Sequence, residues 1–270
     1  MKKLLSALFL FFVMTTVAVA QPGYFTPDIE SIRRANKLVV VMTKFDNPPF
    51  YSGTPDKMIG LDVDIANQIG RILNVSVEFR RDAATFQETV EQVRNKQADI
   101  AISKLSITGP RMTTVRFTQP YVQLRQAMVV NRLWMSQNAN GRTPSEIIRT
   151  FNGPISFIRG SSYDTFARAN FPNATYHPES SWDNVINGVM EGRYAAAYRD
   201  DFEIKRVATE RPSASISTRT VVIQDSLDNI AAAVHPDSQQ LLSIANFVIQ
   251  NNFNNITVES LIKRLREEQR

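Results

Sequence analysis

The stretch Ala98-Asp-Ile-Ala-Ile-Ser-Lys-Leu-Ser-Ile-Thr-Gly-Pro-Arg111 is an apolar strand that ends in hydroxyls and runs into a helix start carrying an arginine. Ile100-Ala-Ile102 is a short continuous apolar run, the pattern of a parallel strand covered on both faces. Ser103 and Ser106 fall at or just beyond its carboxyl end, the edge of an open α/β sheet where loops diverge and ligands bind. Thr108-Gly-Pro opens a helix, with Thr108 as N-cap and Pro110 in the first turn, where no amide donor is needed. Free amides and the positive end of the helix dipole then lie beside Arg111. A planar guanidinium next to hydroxyls and amide donors suits a carboxylate, which it holds bidentately. Spacing alone is equally compatible with a solvated Arg111 and serines that merely end a strand.

Outward from this stretch, strands and helices alternate. Leu38-Val-Val-Val-Met42 is a buried strand, and two prolines keep Asp46-Asn-Pro-Pro-Phe50 a loop. Gly60-Leu-Asp-Val-Asp-Ile65 leads into a helix with Leu61, Ile65, Ile69, Ile72 and Leu73 inward. Val75 to Phe79 alternates like a strand, and Phe86 to Val93 reads as a helix with Phe86, Val90 and Val93 inward. This order predicts a parallel α/β layer. In the second half, Ile155-Ser-Phe-Ile158 is a strand and Gly160-Ser-Ser-Tyr-Asp164 a turn into a helix, with Ser161 and Asp164 at capping-box spacing and Phe166, Ala167 and Phe171 inward. The segment Val93 to Ser103 has an echo in Met190 to Asp200: a helix end, a polar turn, and a small-residue strand that delivers a polar side chain. The echo predicts two related α/β lobes, each offering the carboxyl edge of its sheet to a ligand between them.

The 270-residue chain, 43% hydrophobic, is long enough for two real cores. Lys2 and Lys3 precede an apolar run from Leu4 to Val19 that closes in Ala18-Val-Ala20, the pattern of a secretory signal peptide over residues 1–20, cut after Ala20. Its removal lowers the net charge from +5 to +3, and the remaining basic residues are scattered among acids, so no nucleic-acid stripe is expected. The lack of cysteine excludes a lipoprotein anchor, a disulfide framework and thiol chemistry. His177 and His235 each precede Pro, read as loop or turn residues, and have no partner at metal-ligand spacing; no metal or cofactor is expected.

Taken together, Pro48-Pro-Phe50, Gly60-Leu-Asp-Val-Asp64, Ala98 to Thr108 with Arg111, Phe117-Thr-Gln-Pro-Tyr121 and Gly160-Ser-Ser162 give the chain a family resemblance. It resembles the periplasmic amino-acid-binding proteins of ABC importers, the family 3 solute-binding proteins that close like a Venus flytrap. The resemblance implies a two-lobed α/β periplasmic-binding-protein fold, each lobe a mainly parallel sheet flanked by helices, with the ligand cleft between lobes and a two-strand hinge. Lobe 1 would comprise residues 24–127 and 231–270 and lobe 2 residues 128–230, with Ala127 to Val130 and Ile230 to Val234 as crossing strands. A monomeric periplasmic receptor is implied that passes a small amino acid or related carboxylate to an ABC transporter permease and meets the membrane only through it. Arg111 would hold the α-carboxylate with Ser106 and Ser162, Ser103 and Asp200 would take the α-ammonium, and Phe86 would pack on the ligand side chain.

Three departures bear on specificity. Asn47 stands where many members carry a second aromatic, Lys104 replaces a usually small residue, and Lys44 stands where binders of basic amino acids often carry an acid. Two cations near the cleft would repel a cationic ligand side chain by on the order of 1 kcal/mol or more each at intermediate dielectric, so an acidic or polar ligand is expected over a basic one. The neighbouring carboxylates Asp62 and Asp64 are read as structural, and Asp99 as a hinge or turn contact. The same scaffold includes cyclohexadienyl dehydratases, which act on prephenate or arogenate. Glu203 falls near their general-acid glutamate, whereas Gln126 stands where their lysine is expected. A free-standing flytrap sensor or the binding half of a cell-wall lytic enzyme is the third reading; the latter needs a further domain for which the residues after the amphipathic helix Val258 to Gln269 leave no room.

Overall fold

The structure, a computed structural model, describes residues 25–268, so the expected signal peptide lies outside the described residues. Along the chain the strands are Lys37–Thr43 (β1), the hairpin Ser52–Thr54 and Lys57–Ile59 (β2, β3), Ser76–Ala83 (β4), Ile100–Ser106 (β5), Arg116–Phe117 (β6), Val122–Asn131 (β7), Pro154–Ile158 (β8), Thr175–Glu179 (β9), Ala196–Asp200 (β10) and Thr218–Val234 (β11). One sheet runs β4-β1-β5-β11-β7-β10-β8-β9, with β6 also paired to β11. Its two ends are the expected parallel layers: β1 is parallel to β4 and β5, and β8 is parallel to β9 and β10. The long strands β7 and β11 run antiparallel to each other and join the ends.

The crossing between lobes has a definite place in this ladder. Val222 faces Ala127 and Leu227 faces Arg125, so four residues of β11 bulge opposite Gln126. The Gln126 side chain closes the gap, donating to the Leu227 carbonyl at 3.0 Å and accepting from Asn170 at 2.9 Å and from the Tyr198 hydroxyl. Ala127 to Val130 already pair with β10 of the second lobe, and Ile230 to Val234 with β5 and β6 of the first.

Each half-sheet is covered on both faces. In lobe 1, Ile69 and Leu73 of the helix Leu61–Leu73 pack with Val248 and Ile249 of the helix Gln239–Asn252 on one face, while Phe86, Val90 and Val93 cover the other. In lobe 2, Tyr163 and Ala167 lie on one face and Val185, Ile186 and Val189 on the other. Ile72, expected inward, is 44% exposed. The buried face of its helix also includes Asp62, Ala66 and Gly70, which moves its centre away from Ile72. The capping box at Ser161 does not form, because the hydroxyl donates back to the Ile158 carbonyl at 2.6 Å and Asp164 pairs with Arg168 instead. His177 lies in β9 rather than a loop, beside the Tyr194 ring.

The lobes stand closed on one another. Phe50 meets Phe202 edge-on at 5.8 Å, and Lys205 reaches Glu259 of the last helix at 3.4 Å. Gly60, with φ of 129°, starts the helix Leu61–Leu73 where the chain passes Phe50 so closely that a Cβ would lie 2.3 Å from the Phe50 carbonyl oxygen. Gly60→Ala is therefore expected to cost about 2 kcal/mol or more, a fall of roughly 4–8 °C in Tm for a chain of this size. An unchanged Tm in a melting curve would contradict that geometry.

Candidate functional site

The carboxyl end of β5 delivers its side chains where the lobes meet. Thr108 caps the turn Gly109–Met112, its hydroxyl accepting from the Arg111 amide at 3.4 Å, and this aims the Arg111 side chain inward. The guanidinium, in a residue only 5% exposed, donates from Nη1 to the Ser106 carbonyl at 3.1 Å and from Nη2 to the Gly160 carbonyl of the other lobe at 3.5 Å. Burial draws its pKa down to about 10, with Asp228 pulling the other way, so it stays charged at neutral pH. It forms no ion pair among the described residues. The Ser106 and Ser162 hydroxyls meet across the cleft at 2.7 Å. Phe86, Ile158, Tyr163, Tyr198, Asp228 and Ile230 wall the rest of a cavity of about 20 Å³ open to the centre of a water molecule. That holds little more than one water, so a solute must part the lobes to enter.

Lys104 occupies the other side of this cavity. All seven residues of β5 are buried, and Lys104 takes a left-handed backbone (φ 47°) there. Its amide donates to Asp62 Oδ2 at 2.7 Å, while Tyr121 donates to Asp62 Oδ1 at 2.9 Å. The side chain then crosses to the second lobe, where Nζ lies 2.9 Å from Asp200 Oδ2 and 3.0 Å from Glu203 Oε1. The rings of Phe50 and Phe202 lie beneath the ammonium at 4.8 and 5.2 Å. Asp200 is also the N-cap of the helix Asp201–Glu210, its Oδ1 accepting from the Glu203 amide at 3.0 Å. Arg199 and Arg206 approach Glu203 at 3.4 and 2.9 Å. Burial opposes charge on Glu203, but Arg199, Lys104 and Arg206 outweigh it and hold the carboxyl well below the usual range.

Of the expected site residues, Arg111, Ser106, Ser162, Phe86, Lys104 and Asp200 line one cavity. Ser103 is buried away from it: its hydroxyl accepts from the Thr43 amide at 3.2 Å and donates to Tyr51 at 3.0 Å, so it is committed to lobe 1. Asn47 is buried beside a second opening of about 280 Å³ lined by Phe45, Trp182 and Arg199, and its Nδ2 has no partner among the described residues. Lys44 is exposed and lies outside both cavities. Arg81 takes the carbonyls of Thr43 and Lys44 at 2.6 and 3.2 Å, which leaves the Lys44 side chain on the solvent side. Asp64 pairs with Arg264, and Asp99 accepts from the Val39 amide. Asp228, Tyr163 and Arg199 were not anticipated in the cleft. Their signals were an acid at the head of the apolar run Ile230 to Val234, a ring inside the Gly160 turn, and a cation adjoining Asp200.

The geometry is that of a two-lobed α/β protein with a buried guanidinium where the lobes close on one another. The family model for bacterial extracellular solute-binding proteins, family 3, matches residues 39–266, and the chain belongs to that family. An arginine-binding periplasmic protein of Mannheimia haemolytica is 27% identical over 168 residues, 62% of this chain and 64% of that one, so the match spans a little under two thirds of the relative. The structure of holo ArgBP from T. maritima superposes with a TM-score of 0.65 at 21% identity, covering 87% of this chain and 98% of that one. A further structural neighbour, at TM-score 0.66 and 21% identity over 88% of this chain and 98% of its own, is an ancestral amino acid-binding protein described as a precursor of cyclohexadienyl dehydratase.

Two outcomes follow from the charges. Lys104→Met would strand Asp200 and Glu203, and loss of one member of a buried ion cluster costs about 3–5 kcal/mol. Thermal denaturation should show that loss and its partial recovery in the double variant Lys104→Met/Glu203→Gln; equal stability of the parent and Lys104→Met would contradict the buried bridge. Burial pushes Asp62 up from 3.8 to about 7. Between those pH values the unfolded chain has released a proton that the folded chain keeps, so this residue's contribution to stability falls as pH rises. Asp62→Asn should therefore lose less Tm than the parent across that interval, and a parallel loss would contradict the assignment.

Proposed function

We propose that the chain is a non-catalytic periplasmic receptor that closes on a small carboxylate solute and presents the closed lobes to an ABC transporter permease. The observation that carries this reading is Arg111, a buried guanidinium at the lobe interface with two carbonyl contacts and, among the described residues, no carboxylate within ion-pair distance. A desolvated cation of this kind favours an anion strongly, and the bidentate guanidinium matches a carboxylate. Ser106 and Ser162, now bonded to each other, supply one hydroxyl from each lobe, so a solute bridging them stabilises closure by its differential affinity.

The Mannheimia relative is named for arginine. In this chain the wall adds Lys104 and Arg199 to Arg111, and both are cationic. An acidic or polar solute is therefore preferred over a basic one, on the strength of Lys104 and Arg199 rather than Lys44. A dehydratase would need Glu203 to donate a proton, which a carboxyl held ionised by Arg199, Lys104 and Arg206 does not do at neutral pH.

Calorimetric titration with the carboxylate that raises Tm in a ligand screen should lose about 30-fold or more in affinity in Arg111→Ala, as expected when one partner of a buried charge pair is truncated. Undiminished affinity would remove Arg111 from the site, and consumption of prephenate abolished by Glu203→Gln would make the chain an enzyme.

A further inference from the structure

Among the described residues the cavity has one cation without an ion-pair partner, Arg111, and hardly any place for a second. Lys104, Arg199 and Arg206 are set against Asp200 and Glu203 at 2.9–3.7 Å. Both oxygens of Asp200 are engaged, Oδ2 by the Lys104 ammonium and Oδ1 by the Glu203 amide. The other carboxylate on the wall, Asp228, accepts from the Tyr163 hydroxyl at 2.7 Å through Oδ2 and has the Ser106 hydroxyl beside it, while its buried Oδ1 completes no hydrogen bond among the described residues. A ligand ammonium would have to lie among Lys104, Arg199 and Arg111 with a single free carboxylate oxygen as its acceptor. A ligand hydroxyl can donate to that oxygen without adding a fourth positive charge.

We infer that the solute is a small hydroxy-carboxylate without an ammonium group, its carboxylate on Arg111 and its hydroxyl on Asp228, because Lys104 of the chain itself already sets an ammonium on the Asp200 carboxylate of the cavity wall. This rests on the receptor reading and narrows its cargo. Lys104 is thereby a specificity-determining residue: the cleft carries its own ammonium on a side chain tethered to β5 and bonded to Asp200 and Glu203 of the second lobe.

The test is titration calorimetry on the purified protein, dialysed free of solute, with matched pairs that differ only in hydroxyl against ammonium: L-malate and L-aspartate, L-lactate and L-alanine, 2-hydroxyglutarate and L-glutamate, glycerate and L-serine. The expected result is that at least one hydroxy acid binds, at least tenfold tighter than its amino twin, and that Arg111→Ala weakens that binding about 30-fold or more. An amino acid binding as tightly as its hydroxy twin, or tighter, overturns the inference and leaves the receptor reading intact. Failure of every hydroxy and amino acid to bind overturns both. Lys104→Ala vacates Asp200 and should move the ratio at least tenfold toward the amino member; a folded variant with an unmoved ratio also overturns the inference, and the comparison on the unmodified protein decides the matter if that variant does not fold.

Discussion

The Lys104 ammonium, held between Asp200 and Glu203 at 2.9 and 3.0 Å, is the contact on which the arrangement of this cleft depends. It leaves β5 of one lobe and ends at the first turn of a helix in the other, so its geometry exists only when the lobes are closed. Burying these charges is expensive, and a lone pair would barely offset its desolvation. Here the expense is met by several contacts at once: Asp200 caps its helix, two arginines share Glu203, and two aromatic rings lie beneath the ammonium. Removal of any one member leaves the others buried, which ties the electrostatics of the site to the closure of the lobes.

That coupling alters how a solute acts. Contacts between the lobes that need no solute, including Phe50 on Phe202 and Lys205 on Glu259, favour closure by themselves. A solute shifts the equilibrium only by binding the closed form better than the open one. In the proposed receptor Arg111 would supply that difference, since its guanidinium is buried between the closed lobes and a solute carboxylate would give it an ionic partner there.

Much of this was legible in the residues. Apolar runs flanked by amphipathic stretches placed β1, β5 and β8 and the helices Leu61–Leu73 and Phe86–Arg94, because burial on both faces of a parallel sheet leaves a continuous apolar signature. Thr108-Gly-Pro fixed the turn that aims Arg111, a local signal read locally. What could not be read was which long side chains turn inward. Lys104 within β5 and Lys44 just after the neighbouring β1 are the same residue type, yet one is 6% exposed and the other stands in solvent. The difference lies in long-range contacts: Asp62 takes the Lys104 amide, Asp200 and Glu203 await its ammonium, and Arg81 holds the Lys44 carbonyl. Asp228 was hidden for the same reason, since its chemistry depends on Tyr163 in the first turn of a helix 65 residues away.

The most direct measurement is a crystal structure of the protein with its carboxylate solute bound. The account predicts the solute carboxylate on the Arg111 guanidinium, with the Lys104 ammonium still bonded to Asp200 and Glu203. A solute ammonium seated on Asp200, with Lys104 displaced from it, would contradict the account.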